Sequence, residues 1–363
     1  MLICKMMKKL IELHFGDQRW SDFVAQHPGG NIWQTWAWAE IMLKTKVEKV
    51  WCLAIDEAGA NGQPSLRGGS LIYKYSLGKY CYLYAQGGLL VDAADKGSWD
   101  LLMQKIDDMA KKEKALFLLV DPLITVGAIV SAAANRLRDT GFRPAHKQVN
   151  PPHTLVIDIT GKEDDILAQM KPKGRYNIRL AQRKELKYRI STDSGKDLDK
   201  FYKLLQATAK RDGIFCHGKE YYKQFLEILG QKHGMASLVL VEHPRGVCLA
   251  ANLNIYFNRK AIYYYGASSD QYRALMAPYL AQWAGILEAK NRGCNEYDLL
   301  GIAPEDDPNH PYSCLTQFKS KFGGQRRDYI GAFEKVYRPK LYKMFLLTKR
   351  LRMFVRKCLR IKV

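Results

Sequence analysis

Several signals that define large protein classes are missing from this chain. No window approaches the roughly 18 uninterrupted apolar residues of a membrane-spanning helix. Lys5, Lys8 and Lys9 interrupt the first ten residues, so a secretory leader is not expected. The eight cysteines stand at positions 4, 52, 81, 216, 248, 294, 314 and 358, with no C-x-x-C pair. Such scatter argues against a zinc site or a disulfide framework and fits reduced, mostly buried thiols. There is no G-x-x-x-x-G-K-[ST], no G-x-G-x-x-G after a strand, no H-E-x-x-H and no G-x-S-x-G elbow. These absences speak against a P-loop, a dinucleotide fingerprint and a metal enzyme. No cofactor or metal is implied, and no nucleophile announces itself. His310, in the acidic loop 304–311, reads as a surface residue rather than a ligand.

Acids are scarce. The 363 residues carry 57 Lys+Arg against 36 Asp+Glu, a net charge of +21. An excess of this size points to a polyanionic partner: nucleic acid, nucleotide phosphates or an anionic membrane surface. The 47% apolar and 26% charged content belongs to a folded chain with a real core, and the length allows two or three domains.

Apolar spacing predicts a helix over 98–114, with Trp99, Leu102, Met103, Ile106, Met109 and Ala110 on one face. A buried strand over 115–120 follows, stopped by Asp121-Pro122, then a helix over 128–139. Strand signals also occur at 80–84 and 89–91. A similar series begins after Asn150-Pro151-Pro152. It runs through a strand at 154–159, helices at 164–187, 198–211 and 219–229, and strands at 237–241, 246–257 and 261–266. A helix at 274–292 ends at Gly293, and a strand at 296–300 closes the series. The double proline marks a boundary. Two mixed α+β lobes are therefore expected, 1–150 and 151–327, with a cleft between them.

Two stretches concentrate the charge. Residues 171–189 hold eight Lys/Arg and one acid. Arg175, Arg179 and Arg183 repeat every four residues on one helical face, an arrangement suited to phosphates. From Arg338 to Val363 there are ten Lys/Arg and no acid. Leu341, Met344, Phe345, Leu351, Val355 and Leu359 recur there at helical spacing, so 341–363 reads as a basic amphipathic helix. A membrane surface, RNA or the protein's own body would each suit it. Trp33, Trp36, Trp38 and Tyr263-Tyr264-Tyr265 are aromatic groups able to stack on a base or to fill a core.

Five pieces then occur in order. They are Lys173-Gly174-Arg175-Tyr176-Asn177-Ile178-Arg179, Tyr265-Gly266-Ala267-Ser268-Ser269, Met276-Ala277-Pro278-Tyr279, Tyr297-Asp298 with Gly301, and Leu315-Thr316-Gln317-Phe318-Lys319 before Phe322-Gly323-Gly324. Gln34-Thr35-Trp36 and Asp121-Pro122 precede them. Together they resemble the Fem family (the FemABX group) of peptidoglycan bridge-forming peptidyltransferases, over nearly the whole chain. Some members carry a coiled-coil arm in the second lobe; the strand close behind 219–229 leaves no room for it, so the resemblance is to the armless type.

The resemblance implies two GNAT-like acyltransferase lobes, the first completed by about 328–340. It also implies non-ribosomal transfer of an amino acid from aminoacyl-tRNA to a stem-peptide amine of a UDP-linked or lipid-linked peptidoglycan precursor. Both substrates are polyanions. Lys319, after Phe318, is the lead catalytic candidate, meeting the tRNA terminus or the developing charge, with Phe318 stacking on the terminal adenosine. Arg211 is the expected diphosphate arginine. Lys44, with Lys46 competing, is the expected phosphate lysine of the first lobe. Tyr265 would touch substrate while Tyr264 faces away, and Asp121 would line the cleft. Arg175, Arg179 and Arg183 would contact tRNA phosphates. The expected location is cytoplasmic, peripheral on the inner face of the membrane through the tail. An acyl-CoA-dependent GNAT enzyme should show a Gly-rich diphosphate loop, which is missing. A non-catalytic RNA- or membrane-binding module is the other alternative.

Overall fold

The computed structural model describes residues 8–58, 64–126, 130–307 and 309–360. In chain order its strands are β1 (Lys8–Leu13), β2 (Lys49–Ala58), β3 (Pro64–Leu77), β4 (Tyr80–Ala85), β5 (Ala115–Val120), β6 (Arg143–Pro144) and β7 (His153–Asp158). They continue with β8 (Lys187–Ser191), β9 (Ala236–Glu242), β10 (Cys248–Phe257), β11 (Lys260–Ser268), β12 (Glu296–Gly301), β13 (Gln325–Asp328) and β14 (Phe333–Val336). The helices are α1 (Gln18–Gln26), α2 (Trp36–Thr45), α3 (Lys96–Lys112), α4 (Val130–Asp139), α5 (Glu163–Gln169) and α6 (Pro172–Arg183). After them come α7 (Lys196–Asp212), α8 (Lys219–Gln224), α9 (Ala277–Asn291), α10 (Ser313–Lys319) and α11 (Pro339–Arg360). The chain divides into two compact units. One is Met1–Trp36, Lys46–Val149 and Ile330–Val363; the other is Ala37–Thr45 and Asn150–Tyr329.

The first unit is built on a sheet ordered β1-β2-β3-β4-β5-β14-β6. Every neighbouring pair is antiparallel except β4 and β5, which run parallel. A parallel pair needs a crossover, and α3 supplies it. Its Trp99, Leu102, Met103, Ile106, Met109 and Ala110 are buried in one core with Leu53, Ile72, Leu83 and Leu118. Asp95 caps this helix, accepting from the Ser98 N–H. The β4–β5 ladder runs from Cys81↔Ala115 to Ala85↔Val120, the last residue of each strand.

The second unit repeats the pattern in the order β13-β7-β12-β11-β10-β9-β8. Again one pair is parallel, β11 with β12, and α9 makes the crossover. This helix is buried on nearly all sides, from Leu280 and Trp283 to Ile286 and Ala289. A helix apolar all round belongs inside a core. Its ladder differs from its counterpart: β11 pairs with β12 only over Lys260↔Glu296 to Ile262↔Asp298, although both strands continue.

Four sequence expectations change. The helix expected over 164–187 is two helices and a strand. Pro172 lacks the N–H to continue α5 and instead opens α6. Lys187–Ser191 is a polar edge strand. Helix 219–229 turns at Phe225 into a π-helical stretch reaching Lys232, followed by β9 with no arm between. Only Leu90 of 89–91 pairs, as a single bridge to Gly69. Residues 37–45, expected in the first lobe, cluster with the second unit, where Trp38 lies edge-on to Phe225 and Tyr264 at 5.5 and 5.8 Å. Ala128 and Ile129 lie outside the described residues.

Candidate active site

The opening between β11 and β12 has a local cause. Asp298 Oδ1 accepts the Leu300 N–H at 2.7 Å. Leu300 itself adopts φ +60°, a left-handed conformation unfavourable for a bulky side chain. The bend shifts the register of β12 against β7 between Asp298 and Gly301. The far end of β11 is tied elsewhere. Ser268 donates its N–H to Thr208 Oγ1 at 3.0 Å, and its carbonyl accepts from Arg211 Nη1 at 3.1 Å. Two parallel strands thus part at their carboxyl ends, a common place for a ligand in such sheets.

Lys319, the last residue of α10, stands at that opening. It is only 3% exposed. Its Nζ donates to the Gly301 carbonyl at 2.6 Å, and lies 5.9 Å from the centre of the Tyr263 ring. Burial pushes the Lys319 ammonium down to about 7, with the Asp298 charge pulling the other way. Burial likewise pushes the Asp298 carboxyl up to about 6, against the Leu300 N–H, Lys319 and Arg327. An amine of this kind carries a proton for part of the time near neutrality. It is suited to donating to a developing oxyanion or a leaving hydroxyl. Among the described residues, no group of His, Cys, Asp and Glu is arranged to hold a metal.

The glycines of the sequence pieces set the position of α10. A Cβ on Gly174 would lie 2.2 Å from the Lys321 carbonyl oxygen, and one on Gly323, at φ +76°, 2.3 Å from that of Gln169. Only glycine allows these approaches. The same Lys321 carbonyl accepts the Lys171 N–H at 3.1 Å. The basic helix α6 therefore starts against the turn that follows Lys319. Arg175 donates to the Met170 carbonyl, and Arg179 and Arg183 are exposed. With Pro172, Tyr176 and Gln182 these arginines line one shallow surface groove. Arg183 lies 5.9 Å from the exposed Tyr176 ring. None of the three arginines has a salt-bridge partner among the described residues.

The other expected residues fall as follows. Phe318 is half-buried against Tyr279 and Phe322, both 5.2 Å between ring centres. Arg211 forms a fork with Asp212, at 2.7 and 3.0 Å, and reaches Asp270 at 3.1 Å. Tyr265 meets Tyr221, with the two hydroxyls 3.3 Å apart, and burial drives its phenol well up. Tyr264 does not face away from it. A bulge opposite Leu253 and Asn254 breaks the alternation, and both rings pack on Phe225 at 5.7 and 6.1 Å. Lys44 pairs with Glu40 at 3.7 Å in the second unit, not in the first lobe; Lys46 is in the first unit and exposed. Asp121 is buried beyond β5, accepting from the Tyr84 hydroxyl at 2.5 Å and the Gly87 N–H at 2.8 Å. Trp33 and Trp38 are core residues, and His310 Nδ1 accepts the Tyr312 N–H in its loop.

Two further residues stand in the sequence motifs with no role that the sequence assigns. Asp298 was visible only as part of Tyr297-Asp298, and nothing in the sequence pairs it with Lys319. Gln34 proves to be a staple: its amide donates to the Gln86 carbonyl at 2.7 Å and accepts the Leu71 N–H at 2.8 Å.

Two seven-stranded sheets with matched strand order, each with one helix-spanned parallel pair, define a tandem acyltransferase-like fold. It is shared with a tandem GNAT protein of the clavulanic acid biosynthesis pathway, at TM-score 0.58 and 13% identity over 90% of this chain and 98% of that one. The crystal structure of FemX superposes with TM-score 0.80, at 22% identity, over 92% of this chain and 99% of that one. In sequence, the lipid II:glycine glycyltransferases of Staphylococcus aureus strains USA300 and NCTC 8325 are each 24% identical, over 93% of this chain and 96% of theirs. The FemAB family model matches residues 16–243 and 231–350. The chain belongs to the FemAB family.

Proposed function

We propose that this chain is an aminoacyltransferase that builds the interpeptide bridge of peptidoglycan, moving an amino acid from aminoacyl-tRNA to an amine of a precursor's stem peptide. The observation that carries the reading is Lys319, buried at the parting ends of β11 and β12 on the Gly301 carbonyl. The amine attacks the ester carbonyl and a C–N bond forms. The ester C–O bond then breaks, and the ribose hydroxyl leaves with a proton while the attacking nitrogen loses one. An ester is already activated, so the protein needs to align the two reactants and stabilise charge on oxygen. Lys319 as ammonium does the second at the ester.

The donor's RNA finds its counterpart in Arg175, Arg179 and Arg183, whose helix begins at the turn behind Lys319. Phe318 sits one residue before Lys319, and its half-buried ring is the group proposed to stack on the terminal adenosine. Arg211 meets the precursor's diphosphate by exchanging Asp212 for phosphate oxygens, a fork that suits either. Tyr265 lies on the same strand end, and Lys44 is the remaining candidate substrate contact; Asp121, with both oxygens taken by Tyr84 and Gly87, is assigned a structural role instead. Because relatives are named for lipid II, we place the acceptor in its lipid-linked form and the chain at the inner membrane face. An acyl-CoA donor fits poorly. At the start of α3, where a diphosphate would bind, Asp95 already fills the position. Burial opposes its charge, but hydrogen bonds from Lys8 and Ser98 hold it down to about 2.

The test is an assay of the purified chain with charged tRNA or acetyl-CoA as donor and UDP-linked or lipid-linked muropeptide as acceptor. Transfer from tRNA to the lipid-linked precursor is expected. Transfer from acetyl-CoA alone, or from neither donor, overturns the proposal.

A further inference from the structure

The terminal helix α11 presents two unlike faces. Leu341, Tyr342, Phe345 and Leu346 face the first unit's sheet: Phe117 of β5 packs on Tyr342 and Phe345 at 5.2 and 5.9 Å. The Tyr342 hydroxyl donates to the buried Glu334 carboxylate at 2.7 Å. This fixes the helix's rotation about its axis. The opposite side is then apolar too. Met344, Leu347 and Leu351 are 56%, 60% and 67% exposed. Spacings of three and four residues place them within an arc of about 60°. The sequence continues the interval with Val355 and Cys358.

Cations surround this row. Lys340, Lys343 and Arg350 are exposed and, among the described residues, enter no ion pair. No acid occurs from 338 to the end of the chain. No helix among the described residues is long and apolar enough to cross a membrane. A row of bare apolar side chains edged by unpaired lysines and arginines is the composition of a helix lying in a membrane interface. The apolar groups enter below the headgroups while the long cationic side chains reach back to the phosphates. RNA phosphates would satisfy the cations but leave the apolar row in water. A second copy of the same face would bring like charges together.

We propose that the outer face of α11, centred on Met344, Leu347 and Leu351, is a docking surface for an anionic lipid bilayer. The inference concerns the first unit's surface and stands apart from the transfer chemistry, since it needs neither donor nor acceptor.

The experiment is sedimentation of the full chain with phosphatidylcholine vesicles, with and without phosphatidylglycerol, compared with a shift assay on uncharged tRNA. Binding to the anionic vesicles and not to the neutral ones is expected. Replacing Met344, Leu347 and Leu351 together by serine should weaken it by about tenfold or more. Lys343→Ser and Arg350→Ser should each cost about fivefold. A second readout guards against unfolded variants: Leu347→Trp should show a blue-shifted emission with anionic vesicles. Unchanged vesicle binding by the triple serine variant overturns the proposal. So does an emission that stays where it is in water, or weakened tRNA binding with vesicle binding intact.

Discussion

The two sheets share an order and a crossover but end differently. In the first unit the parallel pair β4–β5 is laddered to its last residues, Ala85 and Val120. Asp121 then clasps the end, taking the Tyr84 hydroxyl on one oxygen and the Gly87 N–H on the other. In the second unit the parallel pair opens after Ile262 and Asp298. There the acid turns its oxygen to the Leu300 N–H, bends the strand, and leaves a buried lysine at the opening. The buried Asp121 closes one strand end; Asp298, half-buried, opens the other. The same framework yields a closed corner in one copy and an open one, with a buried lysine, in the other, and the difference lies in a few hydrogen bonds.

The comparison breaks most clearly at the two charged residues. Lys319→Ala should lower kcat by about a hundredfold to a thousandfold, the usual loss for one donor at a developing oxyanion, while thermal stability changes little. Asp121→Asn should do the opposite, costing about 1–3 kcal/mol of stability because an amide cannot accept both bonds. Chemical denaturation and steady-state rates on the two variants separate these outcomes. A rate collapse without stability loss for Asp121→Asn would erase the contrast.

The groove on α6 gives a smaller effect. Arg179→Ala and Arg183→Ala should each weaken donor binding and reduce the slope of log affinity against log salt by about one. A titration at several salt concentrations reads this. Smallest is the effect of Asp298→Asn on the pH profile. Lys319 loses its proton through about 7, so kcat should fall on the alkaline side with a midpoint near there. The Asp298 charge raises the Lys319 pKa, so removing it should move that limb to lower pH. A limb that stays in place separates the two groups.

Much of the framework is legible in the sequence, because α3, α7 and α9 bury wide apolar faces, β5 is a continuous apolar run and β9 carries one at 238–241. Where sequence reading fails, the deciding contact is distant. The Pro172 break was visible, yet the basic run on either side reads as one helix. The polar edge strand β8 has no buried face to give a period. Tyr264 turns to the side of Tyr265 because of a bulge that no residue type announces. Lys319 was found through its place after Phe318 in a motif. Its burial was not, because that depends on Gly174 and Gly323 letting the turn after α10 settle against the start of α6 and the end of α5. Asp298 stayed mute for the same reason: its partner lies on α10, in another part of the chain.

The most direct test follows Lys319 itself. Its side-chain 13Cε signal, assigned with Lys319→Arg, is titrated in the free chain and with RNA ending in a non-hydrolysable aminoacyl adenosine. The account predicts a free midpoint near 7 that moves when the acyl end enters between β11 and β12. A midpoint in the ordinary lysine range, or a signal indifferent to an RNA that binds, contradicts it.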